Sequence, residues 1–110
     1  MNIPDKFTIN TQEIKIEQVD SLPDQEFGNY NTITDVIKIA TYVKDDEGIL
    51  VKLTEEQMLN TLFHEVLHAF QWHSTGDTDE IQSSIYAGYI LEFLKSTKLI
   101  EKLDNLTHHN

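Results

Sequence analysis

At Thr54 the spacing of apolar side chains changes from two to between three and four, which divides the 110-residue chain into a strand-forming and a helix-forming half. Upstream, Phe7-Thr8-Ile9-Asn10 and Glu13-Ile14-Lys15-Ile16-Glu17-Gln18-Val19 alternate apolar and polar with the period of half-buried strands, and a hairpin is expected across Asn10-Thr11-Gln12. Ser21-Leu22-Pro23-Asp24 breaks the pattern and Gly28-Asn29 marks a further turn. Val36 to Val43 carries β-branched residues at strand density and reads as a third strand. Asp45-Asp46-Glu47-Gly48 reads as a charged turn, and Ile49 to Leu53 as a short return strand.

Downstream, Thr54-Glu55-Glu56-Gln57 is a capping-box signature followed by Met58, Leu59, Leu62, Phe63, Val66, Leu67 and Phe70 at helical spacing, which predicts a helix to about His73. Ser74-Thr75-Gly76 supplies its stop, and Asp77 is the expected cap of a second helix. That helix, Ile81 through Leu94, is apolar on most sides, so it is expected to be largely buried or to pack against a partner. Leu99, Ile100, Leu103 and Leu106 suggest a short helix in a tail that frays from about residue 97. The expected fold is α+β, a small antiparallel sheet packed on two antiparallel helices, in one domain over residues 1–110.

Composition narrows the chemistry. The chain has no cysteine, so disulfides and thiolate metal sites are excluded and any metal must be held by His and carboxylate. Nineteen acidic residues against eight lysines and no arginine give a formal charge of −11, which repels nucleic-acid phosphates and anionic lipid surfaces. The first residues, Met1 to Lys6, show no export signal, and the longest apolar stretch, Ile85 to Leu91, is too short to span a bilayer. A cytoplasmic protein without nucleic-acid or membrane partners is expected.

His64-Glu65-Val66-Leu67-His68 is an H-E-x-x-H arrangement inside the first helix. Four residues is just over one turn, so the two imidazoles project from one face within roughly 40° of each other, as two adjacent corners of a Zn²⁺ tetrahedron require. Glu65 lies roughly 100° round from His64, beside a metal and not on it, in the position of a general base. A solvated helix face, shared with Asn60 and Gln71, is the competing explanation of the same residues.

A catalytic zinc site takes three protein ligands and keeps one position open, so a third donor is needed from His73, Asp77, Asp79 or Glu80. His73 falls on the apolar arc, points away from the histidine pair and suits the helix C-terminus by its charge. If the chain turns back at Ser74-Thr75-Gly76, the opening turn of the second helix passes beside His68. Glu80 then shares a face with the small residues Ser83, Ser84 and Ala87, which favours it over Asp79. The competing role for Glu80 is at the third position of a capping box begun by Asp77. Tyr30, Tyr86 and Tyr89 are further candidates, as donors to a developing oxyanion. Asp45 to Gly48 lacks the alternating ligands of a calcium loop, and His108 and His109 lie in the tail.

Taken together, Gly28-x-Tyr30, the Val36-Ile37-Lys38-Ile39 strand, His64-Glu65-Val66-Leu67-His68 and Glu80-x-x-Ser83-Ser84-x-x-Ala87 resemble the small zincin-type metallopeptidases of phages and mobile elements, distant relatives of repressor-cleaving peptidases. The resemblance covers roughly residues 7 to 95, and Ser84 stands where the repressor-cleaving relatives usually show Asn. It implies a minimal zincin-like fold, a glutamate ligand on the second helix and an edge strand above the metal, here Ile37 to Val43, that pairs with an extended peptide. The expected function is zinc-dependent peptide hydrolysis, with Zn²⁺ held by His64, His68 and Glu80 and Glu65 as base; the alternative is a zinc-stabilised, non-catalytic interaction module of the same origin.

Overall fold

The computed structural model describes residues 3–99. Strand β1 (Lys6–Ile9) pairs antiparallel with β2 (Gln12–Val19) through a two-residue turn in which Asn10 and Thr11 both take left-handed φ values of 50° and 67°. That is the turn geometry whose twist matches a hairpin, and Asn tolerates it best after Gly. The chain then passes a 3₁₀ turn at Pro23–Gln25 and runs as β3 (Gly28–Asn31) before doubling back as β4 (Val36–Ala40). In the connecting turn the Asn31 side-chain oxygen accepts from the Ile33 and Thr34 amides.

The sheet order is β1-β2-β4-β3, with β2 and β4 parallel, so the sheet is mixed where an antiparallel one was expected. The reason lies in burial. Ile37, Ile39 and Ala40 of β4 are fully buried, and a strand with so little surface to expose gains most by inserting between two partners. The shorter, more polar β3 is left on the edge. Gly28-Asn29, expected as a turn, is therefore strand, and Ile37 to Val43 is not the edge strand.

Nor is Val36 to Val43 one strand. At Thr41 the backbone leaves the sheet, its amide donating to Val19 O while its carbonyl accepts from Leu53 N. Beyond it β5 (Tyr42–Lys44) and β6 (Leu50–Lys52) form a separate antiparallel ribbon. Its turn is closed by Asp45, whose carboxylate accepts from the Glu47 and Ile49 amides, and Gly48 supplies a φ of 80°.

Helix α1 (Glu55–Thr75) opens with the expected reciprocal cap: Thr54 Oγ1 accepts from Gln57 N at 3.1 Å and Gln57 Oε1 from Thr54 N at 2.9 Å. It ends on Gly76, whose left-handed φ of 76° lets its amide bond Trp72 O. Helix α2 (Glu80–Ser96) runs antiparallel to α1, with Ser83 beside His68 at one end and Lys95 3.0 Å from Glu56 at the other. Its cap is Asp79, which accepts from Gln82 N at 2.9 Å, and not Asp77, whose carboxylate takes the Thr78 amide instead. Ile14, Ile16, Ile37, Ile39 and Leu62 form the core between sheet and α1.

One close approach fixes the edge strand against the helix. A Cβ on Gly28 would meet Thr61 Cγ2 at 2.5 Å and Lys38 O at 3.0 Å, with Glu65 Cγ at 3.5 Å. Only glycine lets β3 lie this close to the second and third turns of α1. Among the described residues, no helix is long and apolar enough to cross a membrane. The tail helix expected from Leu99, Ile100, Leu103 and Leu106 falls, apart from Leu99, outside the described residues, as do His108 and His109.

Candidate metal centre

Successive turns of α1 bring His64 and His68 side by side, with ring centroids 4.6 Å apart and Nε2 atoms at 3.0 Å. Glu80, the first residue of α2, reaches both: Oε1 lies 2.7 Å from His64 Nε2 and Oε2 2.8 Å from His68 Nε2. The three donor groups converge on one point, slightly closer together than the ~3.3 Å edges of a tetrahedron drawn with zinc–ligand bonds of about 2.0–2.1 Å. Asp79, the competing ligand, is committed to its cap, and the capping box proposed for Asp77 and Glu80 does not form. His73 points away from the pair, as its helical position requires, and meets Asp35 at 2.9 Å.

The protons of this cluster can be placed by following one unambiguous donor. The Asp79 backbone amide donates to Gln71 Oε1 at 2.8 Å, which fixes that oxygen as an acceptor. Ser83 Oγ, buried and 3.1 Å from the same oxygen, must donate to it and has no second hydrogen to give. It therefore accepts from His68 Nδ1–H at 3.2 Å. In a neutral ring the remaining nitrogen, Nε2, carries a lone pair, and that lone pair faces the Glu80 carboxylate and the second imidazole. Electron-rich atoms stay together at 2.7 to 3.0 Å only with a cation among them, either a metal or a second proton on the ring. Ser84 Oγ stands 3.3 Å from His64 Nδ1, within hydrogen-bond reach of the other ring. The donor set, two imidazoles and a carboxylate without sulfur, suits zinc.

Glu65 is 6% exposed, and its carboxylate lies within 4.8 Å of the nearest ring nitrogens of His64 and His68. Burial, followed by the charges of Glu80 and Glu26, pushes its carboxyl up to about 8. A carboxyl this far above its usual range is poised to exchange a proton near neutrality, and a dication beside it would draw it down again. The cluster opens into a cleft of about 650 Å³ whose walls include Phe27, Gly28, Asn29 and Tyr30 of the edge-strand segment and Asn60, Thr61 and His64 of α1. The Glu80 side chain is 73% exposed, so the centre is open to solvent on that side.

Tyr30 also lines the cleft, but its hydroxyl donates to Asp35 Oδ1 at 2.5 Å and its ionisation is pushed well above the usual range by burial and by that carboxylate. Burial pushes the Asp35 carboxyl up, but its bonds to Tyr30 and His73 outweigh this and hold it below its usual range. Tyr30, Asp35 and His73 thus tie the β3–β4 turn to the end of α1. Tyr86 and Tyr89 are exposed on α2 and do not line the cleft. Gln71 and Ser83, which orient His68, are not singled out by the sequence as functional. Gln71 does share the arc of His64 and His68 at positions i, i+4 and i+7, which is the one local signal for it. No family model, curated protein or solved structure matches the chain.

Proposed function

We propose that the protein is a zinc-dependent peptidase of zincin-like architecture, with His64, His68 and Glu80 as ligands and Glu65 as general base. The observation that carries this reading is the convergence of two imidazoles and a carboxylate on one point, with the His68 Nδ1 proton fixed by Ser83 and Gln71 so that Nε2 offers its lone pair. Bound there, Zn²⁺ would acidify a water molecule and polarise the carbonyl of a peptide bond. With the metal held there, Glu65 would accept a water proton on its carboxylate and return it to the nitrogen of the departing amine. Ser83 and Ser84 hold the two imidazoles in register for the ligand role.

The substrate binds along β3. Phe27, just before this strand, accepts from the Ala40 amide of β4, and Asn31 at its end accepts from the Asp35 amide of the connecting turn, so alternation turns the backbone groups of Gly28 and Tyr30 outward. An extended peptide adds to that open edge by pairing with Gly28 and Tyr30, which lays its backbone across the cleft wall beside the ligand cluster. The absence of a side chain at Gly28, where a Cβ would meet Thr61, lets that edge lie close to Glu65.

The test has two stages. Metal-free protein is titrated with Zn²⁺ and the bound metal counted by native mass spectrometry, and zinc-loaded wild type and Glu65→Gln are then incubated with a diverse peptide pool. The expected result is one zinc in both proteins and cleavage by wild type alone. Failure to bind zinc refutes the metal centre. Zinc binding without cleavage of any peptide refutes the peptidase and leaves a zinc-stabilised interaction module.

A further inference from the structure

Helix α2 presents two different faces. Ser83, Ala87 and Leu91 are buried toward α1, and Ile90 and Leu94 are half-buried beside them. On the opposite side Ile81, Ile85, Tyr89 and Phe93 follow one another every four residues with exposures of 75, 48, 63 and 59%, and Tyr86 flanks them at 48%. Residues four apart form a continuous ridge, the feature that interdigitates when two helices cross at about −50°. The ridge is long enough to run nearly the full helix, from the metal-centre end to the far end.

Charge is sparse on this face. A quarter of the chain is charged, yet on the arc from Ile81 to Tyr86 the other residues are Gln82, Ser96 and a single charge, Glu92. At the far end the flank carries both signs, with Lys95 paired to Glu56 at 3.0 Å, and at the near end Asp79 borders Ile81, so no continuous one-signed rim runs along the ridge to attract a cationic partner. Scaled by side-chain size, the five exposed residues present on the order of 600 Å² of apolar surface, at the upper limit of patches left open on monomers. Two such faces together would bury at most on the order of 1,200 Å², the lower bound of a specific interface.

The geometry points to a second copy of this chain as the occupant: a two-fold dimer in which the α2 ridges cross near Ile85 and Tyr89. An isologous interface needs only one self-complementary patch, and a ridge flanked by its own groove supplies it. The cleft opens on the other side of α2, where Glu80 meets the histidines, and stays accessible in the dimer. Two copies of net charge −11 repel each other, so association tightens as salt screens that repulsion, the reverse of a salt-bridged interface.

Sedimentation velocity on the full chain, from micromolar to several hundred micromolar and at low and moderate salt, tests this independently of metal content. A species of twice the chain mass that grows with concentration and with salt is expected. Tyr89→Glu and, separately, Ile85→Glu should each raise the dissociation constant at least tenfold while leaving helical circular dichroism unchanged, since both side chains already face outward in the single chain. Should one variant misfold, the other and the wild-type mass still decide. A monomer throughout the concentration range, whether the face is open or covered by residues 100–110, overturns the proposal. So does a dimer whose dissociation constant neither folded variant changes.

Discussion

Replacing Glu65 by Gln in the metal-free protein should raise stability at alkaline pH and change it little in acid. Glu65 is 6% exposed and its carboxyl is pushed from 4.5 to about 8, chiefly by burial and further by Glu80 and Glu26. Between those two values the folded state holds a proton that the unfolded chain has already released, so stability falls as pH rises through this window, and the penalty is complete above about 8. The full displacement corresponds to a ceiling on the order of 5 kcal/mol, and relaxation of neighbouring groups and water reduces it to an expected 2–4 kcal/mol. Gln keeps the shape and never ionises. Urea unfolding in the presence of a chelator should therefore show the variant more stable than wild type by roughly that amount near pH 9, and by under about 1 kcal/mol near pH 5. Saturating zinc should narrow the alkaline gap, because the dication stabilises the charged carboxylate that Gln lacks. A stability difference that is the same at both pH values would refute the reasoning, since it would mean that Glu65 ionises in the fold as it does in water.

Gly28→Ala should destabilise the protein by about 1–3 kcal/mol, read as a lower urea midpoint, because its Cβ would overlap Thr61 Cγ2 and crowd Lys38 O. In zinc titrations Glu80→Ala should lose far more affinity than Asp79→Ala, whereas Asp79→Ala should cost about 0.5–2 kcal/mol of stability through the lost cap on Gln82 N; equal zinc affinities would remove Glu80 from the ligand set. Ser83→Ala should weaken zinc binding about 10–100-fold by releasing His68 Nδ1, and unchanged affinity in calorimetry would show that the serine merely fills space.

What could be read in the sequence was local. The Thr54–Gln57 box fixed the start of α1, Asn10-Thr11 the hairpin, and the four-residue spacing of His64 and His68 their common face, because each depends on residues within a turn or two of one another. Even Glu80 followed from a local stop signal and a small-residue face, and it lies against both histidines. The errors fall where distant segments compete for the same partners. Whether β3 or β4 takes the edge depends on which strand gains more by burial between two neighbours, and the apolar run Val36-Ile37-Lys38-Ile39 does not reveal that its parallel partner is β2. Asp77 and Asp79 are equally good caps in sequence; only the approach of α2 to Gln71, which takes the Asp79 amide, selects the second. The Tyr30–Asp35–His73 connection spans 43 residues from Tyr30 to His73 and leaves no periodic trace. Sequence thus determined which side chains could share a helical turn, because that geometry is set by the backbone alone, while the tertiary structure decided which strand flanks the cleft and which protons orient the histidines, because those depend on nonlocal burial.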